Sequence, residues 1–209
     1  MSDPSTHTMF DAKAFIRYDE TPDDAFYRQP RFVEHIDDVA IADVERIYRE
    51  RLPAGGEILD VMSSWVSHLP ADVAYARVAG LGMNAAELAG NPRLDAAVVH
   101  DLNAVPVLPF PDASFDAATI CVSIQYLTDP VAVLRDLARV VRPGGPAIVT
   151  FSNRCFPTKA VAIWQALDDD GHLKLVSRYF HDAAWPHVEQ LRSAPREADP
   201  LYAVIARFG

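Results

Sequence analysis

The sequence predicts an α/β domain: a doubly wound, mostly parallel seven-stranded sheet with an antiparallel strand at its C-terminal edge. Three observations carry this. Short apolar runs, β-branched or small, recur along residues 57–151 with turn signals between them. Helical spacing of apolar residues separates the later runs, which is the pattern of a parallel sheet covered on both faces. The last two runs, residues 188–192 and 201–208, have only a proline-containing connection between them, which suits an antiparallel pair.

Each element follows from local chemistry. Residues 1–8 read as a loose tail, and Pro22 and Pro30 break any long helix in the first 36 residues. From Phe15 onward this segment is expected to pack as a lid. Phe15, Tyr18, Phe26, Tyr27 and Phe32 are costly to leave in water, at about 1.5–3 kcal/mol for each large side chain that burial would cover. A helix begins after Asp37 or Asp38 as cap, with Ile41, Val44, Tyr48 and Leu52 at helical spacing, and stops at Pro53-Ala54-Gly55-Gly56. Strands are expected over residues 57–62, 76–81, 96–100, 115–123 and 147–151. Pro70 follows the first strand closely, so the first crossover helix is expected to be short. Asp129-Pro130 opens a helix through Leu134, Leu137 and Val141 that Pro143-Gly144-Gly145 ends. Further helices are expected over residues 158–167 and 173–180.

The bulk properties bound the function. A chain of 209 residues suits one domain, residues 1–209, with residues 1–36 as tail and lid. The 19 basic and 29 acidic side chains give a net charge of −10 with no basic cluster. Nucleic acid and anionic membrane surfaces, which need a concentrated positive face, are not expected as partners. No apolar run approaches the roughly 20 residues that span a bilayer, and no secretory signal is visible at the start. Two cysteines, Cys121 and Cys155, make no disulfide framework and no zinc signature, so a cytoplasmic protein without a metal is expected. The oligomeric state has no signal.

The most specific stretch is Leu108-Pro109-Phe110-Pro111-Asp112-Ala113-Ser114-Phe115-Asp116, followed by Leu127-Thr128-Asp129-Pro130 and by Leu137-Ala138-Arg139-Val140-Val141-Arg142-Pro143-Gly144-Gly145. Taken alone it is scaffold: a turn, a core strand and a stopped helix. In order and spacing it resembles the corresponding stretch of small-molecule class I S-adenosylmethionine methyltransferases. With the flanking strands the resemblance spans residues 57–151. It implies a Rossmann-like sheet, S-adenosyl-L-methionine as cofactor, and methyl transfer to a small-molecule acceptor.

The same resemblance locates the cofactor residues and two departures. The family follows its first strand with an acidic residue and a glycine-rich loop. Here the run is Asp60-Val61-Met62-Ser63-Ser64-Trp65-Val66-Ser67-His68, with Met62, Ser64 and Val66 where the glycines stand. Ser63 and Ser64 are expected near the methionine end of the cofactor, with Trp65 covering it; alternatively the run caps a short helix with Trp65 in the core. The family's ribose-binding carboxylate aligns with Gly82, in Gly82-Met83-Asn84, leaving Asn84 as the candidate acceptor for one hydroxyl. Asp101 and Leu102 match the adenine-binding position after the third strand, and Val122 follows the fourth. The run from Asp60 to His68 is also similar to a segment of related sequences, which points to a subfamily trait.

Substrate contacts are expected from Tyr27 and His35 on the first segment, with Arg28 and Arg31 suited to an anionic acceptor, from Tyr126 after the fourth strand, and from Asn153 and Arg154 after the fifth. His68 is a further candidate near the cofactor. No catalytic residue is assigned, because displacement at a sulfonium needs positioning above all. The alternative reading is a non-catalytic binding or assembly protein with an altered cofactor pocket. A nicotinamide-dependent enzyme is disfavoured because its Gly-x-Gly-x-x-Gly turn is missing.

Overall fold

The computed structural model describes residues 10–209. Seven strands form one sheet in the order β3-β2-β1-β4-β5-β7-β6. They are β1 (Glu57–Val61), β2 (Arg77–Gly82), β3 (Ala96–Val99), β4 (Ala117–Cys121), β5 (Pro146–Phe151), β6 (His187–Ser193) and β7 (Leu201–Arg207). The helices are α1 (Asp23–Phe26), α2 (Asp38–Arg51), α3 (Ala85–Gly90), α4 (Pro130–Val140), α5 (Ala162–Gln165) and α6 (Asp169–Asp182). The first five strands are parallel; β7 is antiparallel to β5, with Ile148 opposite Ile205, and β6 is antiparallel to β7. The C-terminal strand therefore lies inside the sheet, between β5 and β6, and the outer edge is β6.

Alternation along the strands separates two cores, as the period of two requires. Leu59, Val61, Ala118, Ile120, Val149 and Val204 pack on the face covered by α4 and α6, together with Val133, Leu137, Val176 and Phe180. Ile58, Ala117, Ile148, Ala203 and Ile205 face α2 through Ala40, Val44, Ile47 and Tyr48. Asp37 caps α2 by accepting from the Ala40 amide at 2.9 Å, and Asp129 caps α4 by accepting from Ala132 at 3.0 Å.

Several expectations are corrected. No helix forms between β1 and β2, so residues 62–76 cross over as irregular chain. The helix expected over 158–167 shrinks to α5, because residues 152–161 are drawn into loop contacts with the first segment. Two helices are unexpected, the single turn α1 and α3; for α3 the signal is plain. Its signature, Asn84 followed three residues later by Glu87, is a helix-start pattern legible in the sequence. In the first segment, Phe15 packs on Tyr179 and Phe26 on Phe156. Tyr18 (88% exposed) and Phe32 (53%) stay largely in water, contrary to the lid expectation for those two rings.

Candidate functional site

The site lies at the carboxyl ends of the parallel strands, where ligands of open α/β sheets bind. β1 ends at Val61, and Met62 then turns left-handed with φ 57°. That turn sends the Ser63 amide back to the Leu81 carbonyl at 2.8 Å, laying residues 63–64 across the end of β2. Two further non-glycine residues on this side, His68 (φ 50°) and Val122 (φ 50°), are left-handed too. Such backbone costs of order 1–3 kcal/mol per residue and persists only where the surroundings fix it.

Around Met62 and His68 a buried carboxylate ties the loop down, while the Val122 amide is held by the Thr150 carbonyl at 2.8 Å. Asp60 is 2% exposed. One of its oxygens accepts from the Ser63 and Ser67 hydroxyls, each at 2.6 Å, and the other accepts from Thr119 at 3.1 Å. Burial outweighs these donors and pushes the Asp60 pKa up to about 6. Asn91 donates to the Ser67 hydroxyl and the Ser64 carbonyl at 2.8 and 2.9 Å. Side chains thus hold a loop that backbone ladders hold elsewhere.

The loop forms one wall of a cavity of about 300 Å³. Its floor carries Leu81, Gly82, Met83, Asp101, Leu102, Val122 and Ser123; its roof carries Tyr27, Val33, His35 and Ile36 from the first segment, with Arg154 and Phe156 from the loop after β5. The roof is pinned by ions. Asp23, 6% exposed, takes both oxygens to Arg17 at 2.8 Å and accepts from Lys159 at 3.1 Å and Asn103 at 2.8 Å. Burial opposes the Asp23 charge, yet these donors hold its pKa below the usual carboxylate value. Lys159, fully buried, also donates to the Thr21 carbonyl. The Trp65 indole donates to the Val33 carbonyl at 3.0 Å.

The cavity gathers Asp60, Met62, Ser63, Ser64, Trp65, Gly82, Met83, Asn84, Asp101, Leu102, Val122, Tyr27, His35, Tyr126 and Arg154. Asn153 is exposed and outside its lining. Asn84 faces the cavity with its amide already committed: its oxygen caps α3 at Ala86 and Glu87, and its nitrogen donates to the Tyr27 and Arg28 carbonyls. That corrects the expectation of Asn84 as a ribose acceptor. Trp65 is neither a core residue nor a helix residue, since residues 62–76 form no helix and its ring meets Phe32. Arg154 pairs with Asp199 at 2.7 Å, and the Tyr126 hydroxyl accepts from the Phe156 amide at 2.8 Å. Burial raises the Tyr126 phenol to about 12 and lowers His68 to about 4, while partial burial lowers His35 at the rim. Both imidazoles are neutral at pH 7 and each retains an acceptor nitrogen. Sequence reasoning missed Asp23, Glu87, Asn103 and Lys159, each of which makes a side-chain contact to a residue 23 or more positions away.

These residues suit an adenosyl sulfonium ligand. The Asp101 turn, the apolar Leu102 and the buried, unpartnered Ser123 hydroxyl offer a nucleoside both polar and apolar contacts. Ser63 and Ser64 spend their protons on Asp60 and Glu87, so what they keep are acceptor lone pairs, suited to an ammonium rather than a carboxylate.

A methyltransferase-domain family model matches residues 63–149. A demethylmenaquinone methyltransferase of Mycobacterium sp. (strain KMS) is 49% identical over 55 residues, 24% of each chain. That of Corynebacterium kroppenstedtii is 36% identical over 100 residues, 40% of this chain and 42% of the relative. The chain thus spans less than half the length of these curated relatives. A solved S-adenosylmethionine-dependent methyltransferase from Aquifex aeolicus superposes with a TM-score of 0.58 at 15% identity, covering 90% of this chain and 97% of that one. Among the described residues no helix is long and apolar enough to cross a membrane. The matched segment, the strand order and the cavity at the strand ends make the chain similar to class I S-adenosylmethionine methyltransferases, whose fold it shares.

Proposed function

We propose that the protein transfers a methyl group from S-adenosylmethionine to a small, largely apolar aromatic acceptor such as a quinol ring. The observation that carries this reading is the two-sided cavity. One side is the sheet end with Asp60, Asp101 and Val122; the other is an aromatic roof of Tyr27 and Phe156, with Tyr126 after β4 stacked on Phe156 and with His35 and His68 beside it. The bound cofactor would supply an electrophilic methyl group, and the chain supplies placement, dryness and proton handling.

Asp101 and Leu102 hold the adenine end, and the hydroxyls of Ser63 and Ser64 receive the amino group. The aromatic roof holds a flat acceptor, with its identity supported by the quinone-type substrates in the names of the matched relatives. An acceptor hydroxyl that must ionise meets the neutral His35, and a positioned base is worth about 10²–10⁴-fold in rate. His68, its pKa lowered by burial to about 4, is the weaker base and serves to accept a hydrogen bond. Arg154 stands at the rim, where it suits a polar substituent.

The chain acts as a single domain in this reading, with residues from about Phe15 to His35 closing the cavity. A second reading, ligand binding without catalysis, is favoured by one observation: the serine hydroxyls of the rebuilt loop point to Asp60 and Glu87. Calorimetry with S-adenosylhomocysteine, paired with turnover of labelled S-adenosylmethionine over a panel of phenols and quinols, separates the two. Micromolar binding with turnover of an aromatic acceptor is the expected result. Binding with no turnover across the panel favours the second reading, and no binding at millimolar ligand defeats both.

A further inference from the structure

The end of β2 has no room for an acidic side chain. A Cβ built on Gly82 would sit 2.1 Å from the Ser63 carbonyl oxygen, which is backbone and has no rotamer to yield. The loop after β1 and the glycine at the end of β2 are therefore one change. Any carboxylate that receives a sugar diol here must come from elsewhere.

Other acids of the cavity are committed or distant from this wall. Asp60 has three donors across its two oxygens, and Asp23 is held by Arg17, Lys159 and Asn103. Asp101 caps its own turn at Asn103 and Ala104 through one oxygen and stands after β3, on the side assigned to adenine, and Glu34 lies exposed on the rim. Glu87 differs. It stands in the first turn of α3, the helix that leaves the end of β2, and it lines the cavity. One oxygen accepts from the Ser64 hydroxyl at 2.6 Å and the other from the Arg31 amide at 2.7 Å. Each oxygen keeps a lone pair, and the two tethers fix the plane of the group.

The structure assigns Glu87 as the acceptor for the ribose hydroxyls of the cofactor, in place of the carboxylate that Gly82 cannot carry. This rests on the cofactor reading above. Because Glu87 also holds the Arg31 amide, diol binding and docking of the first segment share one side chain.

The test is calorimetry with S-adenosylhomocysteine and its 2′-deoxy analogue on wild type and Glu87→Gln, with melting temperatures alongside. Wild type is expected to prefer the hydroxylated ligand by tenfold or more, and Glu87→Gln to lose that preference to within threefold. Ser64→Ala, which frees one tether, should lower the same preference by a smaller factor and serves if Glu87→Gln fails to fold. A preference unchanged in both variants overturns the assignment, as does a wild type that binds both ligands equally. Wild type that binds neither ligand sinks the cofactor reading itself.

Discussion

Two stretches of the parallel sheet are built on different principles. From residue 108 to 145 the chain is held by regular elements and one arginine. Arg139 donates to Asp136 and Asp112 and to the Leu108 and Phe110 carbonyls, at 2.8–3.0 Å, closing the turn before β4 onto α4. From residue 62 to 76 no helix forms, and a buried acid with three hydroxyls takes over. The first stretch tolerates change wherever its ladder and clamp survive. In the second stretch one interlocked set of side chains and left-handed residues shapes a cavity wall.

The largest effect should come from Gly82→Asp. The new side chain meets backbone at Ser63, so residues 62–67 must move, with an expected loss of about 3–5 kcal/mol and of ligand binding. Denaturant unfolding measures it; a variant as stable as wild type would show that the loop is loosely specified.

Next is Asp60→Asn, read as a pH profile. The folded pKa of Asp60, about 6, lies above its ordinary 3.8. Its contribution is therefore fully present below about pH 4 and is lost as the pH rises through 6. The stability difference, wild type minus Asp60→Asn, should fall by up to about 3 kcal/mol across that window and then level off. A difference that rises with pH contradicts the assignment.

Arg139→Ala should cost about 2 kcal/mol, since it leaves two carbonyls and Asp136 short of donors. Affinity for S-adenosylhomocysteine should change less than threefold, and a larger change would mean that the two stretches are not separable.

Arg154→Ala is the smallest in stability. Its guanidinium is exposed and its pair with Asp199 is worth below about 1 kcal/mol. Acceptor turnover should fall while cofactor affinity holds within threefold; unchanged acceptor kinetics would leave Arg154 a fold residue only.

The sequence made the first stretch legible and left the second partly hidden, for physical reasons. Asp129-Pro130 and Pro143-Gly144-Gly145 encode their boundaries locally, so α4 and β5 could be read residue by residue. Asp60 and the serines were visible as residue types. Their partners were not, because hydroxyls that face inward to Asp60 look identical in sequence to hydroxyls that face a ligand. Asn84 shows the same ambiguity: a helix cap and a ligand contact use the same amide. Glu87 escaped notice because its role depends on Ser64 and Arg31, 23 and 56 residues away.

Asn103 ties three parts of the site together. Its nitrogen serves Asp23 of the first segment and the Tyr126 carbonyl, while its oxygen serves the Thr128 amide and hydroxyl. One amide thus joins the roof, the Asp101 turn and the segment after β4. Thermodynamic reciprocity follows: whatever a nucleoside gains by ordering the turn, it must return as tighter docking of residues 17–23, and by the same factor. Proteolytic protection of that segment would then titrate with ligand bound on the opposite side of Asn103.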